Sequence, residues 1–231
     1  MLASTAASIG LIHTLLGPDH YLPFIALGRA RSWSRGKIAA VTVVCGLGHV
    51  AASVVIGIVG IAFGVAISDL NAIEGLRGSL ASWAVLGFGL AYLTWGLRRV
   101  ATGRPHAHAH VHADGTSHAH NHDHRDHHAH VHDARDRARV TPWALFMIFV
   151  LGPCEPLIPL LMAPAAAHSW GAVALVVAVF AGTTLATMLA VVFACVAGLD
   201  LIPTKKVERY AHALAGGAVA ACGGAMVALG A

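Results

Sequence analysis

The chain reads as an all-α integral membrane protein of six transmembrane helices, built as two inverted three-helix repeats. Three observations predict this. Of 231 residues, 57% are hydrophobic and only 11% charged, where a soluble domain carries about 25% charged residues. The charges cluster in short segments that separate six apolar runs, each near the roughly 20 residues a helix needs to cross a bilayer. The runs are 3–27, 38–67, 80–97, 142–167, 171–198 and 210–230. Third, a motif in the first run recurs in the fourth.

The first run carries His13-Thr-Leu-Leu-Gly17-Pro18-Asp19-His20 inside an otherwise almost wholly apolar stretch. Pro18 lacks an N–H, and its ring meets the carbonyl of Thr14, so the helix should kink or unwind at Gly17-Pro18. No basic residue precedes this run, and it is too long for the apolar core of a signal peptide, so a retained helix is expected. The second run carries Gly48-His49. The third is rich in small residues (Gly87, Gly89, Ala91), as is the sixth (Gly216, Gly217, Ala220, Gly224). Such residues let membrane helices approach closely, and packing within the monomer is the expected use.

Between the third and fourth runs lies a histidine tract. Its twelve imidazoles are His106, His108, His110, His112, His118, His120, His122, His124, His127, His128, His130 and His132. It has no apolar period, so it is expected to lack fixed structure without metal. Histidine-rich tracts usually read as metal binding. The domain plan is therefore a first repeat over 1–100, a histidine-rich loop over 101–140 and a second repeat over 141–231.

The fourth run repeats the first. Leu16-Gly17-Pro18-Asp19-His20 returns as Leu151-Gly152-Pro153-Cys154-Glu155, and Gly48-His49-Val-Ala-Ala-Ser53 in the second run faces Gly182-Thr183-Thr184-Leu-Ala-Thr187 in the fifth. The displacements are 135 and 134 positions. Three helices per half is an odd number, so the halves must run in opposite directions through the bilayer. Paired breaks at corresponding places in two inverted halves point to a binding site near the midplane.

Fourteen of the fifteen basic residues fall in the first, third and fifth connections. Arg77 alone lies in the second, beside Asp69 and Glu74. The positive-inside rule makes the Arg-rich side cytoplasmic. Both termini are then outside and the tract inside, in a bacterial-type cytoplasmic (inner) membrane. The net charge of +4 is explained by topology and calls for no nucleic acid.

Within the apolar runs the sequence reading places two acids, Asp19 and Glu155, and three histidines, His13, His20 and His49. A carboxylate at a bilayer centre costs about 3 kcal/mol on insertion scales, so such residues face a cavity and a partner. Imidazoles with one carboxylate suit a divalent first-row metal. The expected ligands are His13, Asp19, His20 and His49. Glu155, Cys154, Thr183 and Thr184 are weaker second-half candidates. A proton relay through the same groups is the rival use.

The stretch HTLLGPDH followed by Tyr21-Leu-Pro-Phe24, with Leu47-Gly48-His49 in the next helix, resembles the nickel/cobalt transporter superfamily. The likeness is to the branch of NicO and urease-accessory UreH-type permeases. Nickel permeases of that superfamily carry H-x4-D-H and a G-H in the following helix; here the first spacing is H-x5-D-H. The resemblance implies a secondary transporter of Ni²⁺ or Co²⁺, with Zn²⁺ a further candidate, uptake slightly favoured, no resident cofactor and no enzyme activity. His13, Asp19, His20 and His49 would be the ligands. A cytoplasmic metallochaperone or a urease or hydrogenase maturation factor would be a partner, beside the metal ion and the lipid bilayer.

Two other classes stay open. Gly152-Pro153-Cys154 with its trailing prolines resembles the Pro-Cys motif of membrane thiol–disulfide reductant carriers. That chemistry needs a second thiol, and the repeat partner of Cys154 is Asp19. A metal-sensing or chaperone membrane protein, whose helices only anchor the tract, would leave the intramembrane Asp19 and His20 without a purpose.

Overall fold

The computed structural model describes residues 1–102, 106–111, 117–122, 135–200 and 208–230. Apart from one hairpin in the histidine tract, every regular element among them is helical. The helices are α1 (Leu2–Leu16), α2 (Leu22–Ala30), α3 (Arg35–Ala62), α4 (Ile67–Thr102), α5 (Arg135–Leu151), α6 (Leu157–Ala166), α7 (Trp170–Asp200) and α8 (Ala211–Leu229). Four of them, α3, α4, α7 and α8, are long and apolar enough to cross a membrane. The outward-facing side chains include Leu11, Ile12, Val44, Val55, Trp83, Leu90 and Leu175. An apolar surface of that extent is what a lipid environment requires and what a soluble monomer avoids.

The first and fourth apolar runs are each broken in two, where Gly-Pro predicts it. The chain leaves α1 at Gly17, makes a 3-10 turn over Pro18–His20 and enters α2. In the second half it leaves α5 at Leu151 and enters α6 at Leu157. Proline chemistry suits these breaks. The first turn of a helix has N–H groups with no partner in the helix. Pro156 and Pro159 remove two such donors at the start of α6.

Helix α3 starts with the Ser34 hydroxyl accepting from Lys37 N at 3.3 Å. It ends at Gly64, whose φ of +67° permits the paired bonds Val65 N to Gly60 O (2.9 Å) and Gly64 N to Ile61 O (3.1 Å), a left-handed cap that glycine makes without strain.

Helix α4 begins 13 residues before the apolar run that marks it. The sequence reading left Glu74 and Arg77 in a connection; the structure puts both inside α4, with Glu74 fully buried. The expectation of only two acids within the membrane helices is therefore corrected, and so is that of only three histidines, since His212 of the sixth run lies in α8.

The two halves interleave. Helix α1 packs on α7, α3 on α5, and α2 on α8. Helices α4 and α8 lie antiparallel at close range. Gly89 faces the backbone of Ala220, Gly96 that of Ala213, Gly216 that of Leu93 and Gly223 that of Leu86. Each helix thus offers a glycine every seven residues, a period that holds one stripe against a partner over several turns. Of the small residues singled out in the sequence, Gly89, Gly216 and Ala220 lie in this contact, whereas a side chain at Gly87 would meet open space. The packing is intramolecular.

At one end of the bundle, Asp200 at the foot of α7 pairs with Arg29 (2.8 Å) and Arg35 (3.4 Å). Arg31 Nε donates to the Tyr92 hydroxyl at 3.3 Å, and that oxygen lies 2.9 Å from His212 Nδ1. These contacts gather the basic end of α2 and the basic start of α3 with Tyr92 of α4 and the last residue of α7.

In the histidine tract the backbone forms an antiparallel pair, His106–Val111 with Ser117–His122, in register His106 to His122. No regular structure was expected there. Alternation of histidine with small residues is compatible with extended chain, so low hydrophobicity did not exclude it. His112, His124, His127, His128, His130 and His132 lie outside the described residues.

Candidate metal centre

His13 comes from the last turn of α1, His20 from the 3-10 turn beyond the break, and His49 from the middle of α3. On an intact helix His13 and His20, seven residues apart, would stand two turns apart. The break folds His20 back, and the two rings meet edge to face with centroids 4.7 Å apart. His49 approaches both, at 5.0 Å from His20 and 6.1 Å from His13. One ring nitrogen from each of the three lies within 4.8 Å of the other two. They form a group able to hold a metal ion.

The tautomers follow from the neighbours. His20 Nδ1 lies 3.1 Å from the Gly17 carbonyl and 3.3 Å from Asp19 Oδ1. His49 Nδ1 lies 3.4 Å from the Phe149 carbonyl. A carbonyl oxygen only accepts, so in each ring Nδ1 carries the proton and donates. The lone pair is then on Nε2. Both Nε2 atoms are buried and have no hydrogen-bond partner. Leaving a polar atom buried and unpaired costs about 1–3 kcal/mol, and two such atoms stand in one place. Imidazole held by an oxygen on Nδ1, with Nε2 free, is how histidine is presented to a metal.

Asp19 therefore acts beside the cluster: its carboxylate orients His20, and its side chain keeps 23% exposure. It lines a cavity of about 20 Å³ with Pro23, His49, Phe88, Phe149 and Gly152, which is room for about one water. On the other side of the cluster Cys154 Sγ lies 3.9 Å from His13 Nε2. The cluster sits at the seam of two apolar cores. One contains Phe24, Leu27, Leu145 and Phe149; the other contains Val50, Cys154, Leu157 and Phe180. Phe149 walls it on the His49 side at 6.3 Å and Phe180 on the His13 side at 6.3 Å. Such walls exclude water and strengthen any charge interaction inside.

The second-half candidates separate. Cys154 reaches the cluster. Glu155, one residue on, is exposed and is not among the grouped ligands. Adjacent residues at a helix break point in different directions, which a one-position alignment with Asp19 does not resolve. Thr183 donates to the Val179 carbonyl within its own helix at 2.8 Å. Thr184 faces α1 instead: its hydroxyl is buried without a partner, against Gly10.

Glu74, Arg77 and the bonds that Ser53 makes to them are not signalled by the sequence analysis. Glu74 Oε2 accepts from Ser53 Oγ at 3.0 Å and from Cys154 N at 3.0 Å. Arg77 pairs with Glu74 and donates through Nη2 to the carbonyls of Val150 (2.8 Å) and Gly152 (3.1 Å). The available signal was the i, i+3 spacing of opposite charges, which allows a pair to stand on one helix face.

Comparison with family models, with curated proteins and with solved structures returned no match. The function must be argued from the site itself. Chemically, the site offers three imidazoles and a nearby thiol, with one carboxylate on the rim. Metal–nitrogen bonds of about 2.0–2.1 Å in a tetrahedral shell set ligand nitrogens about 3.3 Å apart, so the three nitrogens must draw inward on an ion.

Proposed function

We propose that this protein is a secondary transporter of a divalent transition-metal ion, Ni²⁺ or Co²⁺ first and Zn²⁺ next, of the superfamily its HTLLGPDH motif resembles. The observation that carries the reading is the pair of buried, unpartnered Nε2 atoms of His20 and His49 beside His13. Imidazole donors match these ions. Helix breaks on both sides of the cluster provide the movable parts that a carrier needs and a static structural site does not.

The six-span reading counts each broken pair as one crossing. At 1.5 Å per residue the 15 residues of α1 and the 9 of α2 reach about 36 Å if aligned, enough for a hydrocarbon core of about 30 Å. Two observations support inverted repeats. The packing exchanges partners, α1 on α7 and α3 on α5. A displacement of 127 positions also carries Gly89 onto Gly216 and Gly96 onto Gly223, the glycines of the α4–α8 contact. In this reading the membrane is a bacterial-type cytoplasmic membrane, with both termini outside and the tract inside. The Arg29–Asp200 and Arg31–Tyr92 contacts at one end are consistent with a common basic face. The tract would hold ions that have entered or hand them to a cytoplasmic metallochaperone. Uptake is the direction we favour.

In the transport cycle, the ion sheds water onto the Nε2 atoms of His20 and His49 and a ring nitrogen of His13. Binding there makes each Nδ1–H a stronger donor, tightening His20 on Gly17 and His49 on Phe149. Both broken helices are thereby drawn onto the cargo. The test is flux into proteoliposomes with Ni²⁺, Co²⁺ and Zn²⁺ offered in turn. Wild type should move at least one of them and His49→Ala none. Equal flux in the two would remove the site from the path.

A further inference from the structure

We infer that the buried Glu74–Arg77 pair of α4 is a positioning device for the metal centre, holding the second helix break in the shape that presents Cys154 and Phe149 to the histidines. The inference rests on the transport reading for what the centre binds.

The end of α5 leaves carbonyls without helical donors, and the start of α6 leaves amides without acceptors. Arg77 donates to the carbonyl of Val150 in the last turn of α5 and to that of Gly152 just beyond it. Glu74 accepts from Cys154 N, in the segment between the two helices. Ser53 of α3 joins the pair by donating to Glu74 and accepting from Arg77 Nη1 at 3.2 Å. The clamp therefore ties α3, α4 and both sides of the break. What it holds touches the cluster: Cys154 Sγ on His13 and the Phe149 carbonyl on His49, while Gly152 is packed so near that a β-carbon there would lie 3.1 Å from His49 Nδ1. Among the described residues, no such clamp is seen at the first break. It is closed by its own residues, His20 on Gly17 and the Tyr21 hydroxyl on the Leu15 carbonyl at 3.3 Å.

A buried ion pair is often no more stabilising than an apolar replacement of similar size, so stability alone is a weak reason for this one. A planar guanidinium that reaches two carbonyls at once is a geometric part, and lysine does not replace it.

The experiment compares wild type with Glu74→Gln/Arg77→Met, which removes both charges and leaves no lone buried ion, and with Arg77→Lys. All are made with Cys45, Cys195 and Cys222 replaced and residues 107–131 deleted, and purified in detergent. Co²⁺ binding is read from its visible absorption, and the KM and maximal rate of Co²⁺ flux are read in liposomes. The variants should fold, show a changed Co²⁺ spectrum and raise KM about tenfold or more, because the ligand set is displaced. Folded variants with the wild-type spectrum and KM would overturn the inference. If the double variant does not fold, Arg77→Lys carries the same two outcomes. Alkylation of Cys154 by a membrane-permeant maleimide separates this inference from the transport reading. Wild type that binds no Co²⁺ would sink the transport reading. The clamp would still stand if alkylation quickens several-fold in the variants, and would fall if it does not change.

Discussion

His49 donates its Nδ1–H to the carbonyl of Phe149 at 3.4 Å, joining the middle of α3 to the last turn of α5. This bond fixes which nitrogen of His49 faces the cluster and ties a ligand of the first half to the break of the second. His20 makes the matching bond within the first half, to Gly17. Each break is thus attached to an imidazole whose other nitrogen is free.

The carboxylate of Asp19 lies on His20 Nδ1, away from the free Nε2, so its removal should weaken the centre and not erase it. Asp19→Asn is expected to lower metal affinity about 10–100-fold, the usual effect of losing a partner behind a ligating histidine. His20→Ala should abolish specific binding. Titration calorimetry on tract-deleted protein distinguishes the two, and equal affinities in both variants would contradict these roles.

The α4–α8 contact depends on absent side chains. Gly216→Val would drive a side chain into the backbone of Leu93, and overpacking of this kind costs about 1–3 kcal/mol or more. Gly87→Ala meets open space and should leave the melting temperature in detergent within a degree or two of wild type. A Gly216→Val protein as stable as Gly87→Ala would show that the helices are not held this closely.

Much of the site was legible in the sequence, because polar residues in an apolar run and a proline after glycine have few physical explanations. His13, His20, His49 and both breaks follow from that. Glu74 and Arg77 were not legible, because a neutralised pair near the start of α4 has the composition of a connection; only the fold shows Glu74 buried against Cys154 N. Of the four second-half candidates, Cys154 and Thr184 are buried, whereas Glu155 is exposed and Thr183 bonds within its own helix. A repeat aligns positions and does not fix rotation at a break or about a helix axis, where one residue is about 100°.

The histidine tract joins two halves that pack directly on each other. Deleting residues 107–131 should preserve flux at saturating metal and weaken capture at low metal. Lowering the pH from 7.5 to 5.5 should mimic part of that loss, since ordinary imidazole titrates near 6.5 and imidazolium does not bind metal. Flux against concentration for both proteins checks this. Loss of flux at every concentration in a folded deletion protein would place the tract in the permeation path.

The orientation proposed from the charge distribution can be tested by labelling. With native cysteines replaced, Gly115→Cys in the tract should resist an impermeant maleimide in intact cells, and Ala231→Cys should react. The reverse pattern would invert the protein in the membrane.

The central claim is that three intramembrane imidazoles hold the cargo ion. X-ray absorption at the zinc edge, on tract-deleted protein loaded with a single Zn²⁺, reads the ligands directly. The account predicts three imidazole nitrogens at about 2.0–2.1 Å and loss of the bound ion in His49→Ala. An all-oxygen shell, or an unchanged spectrum in His49→Ala, would contradict it.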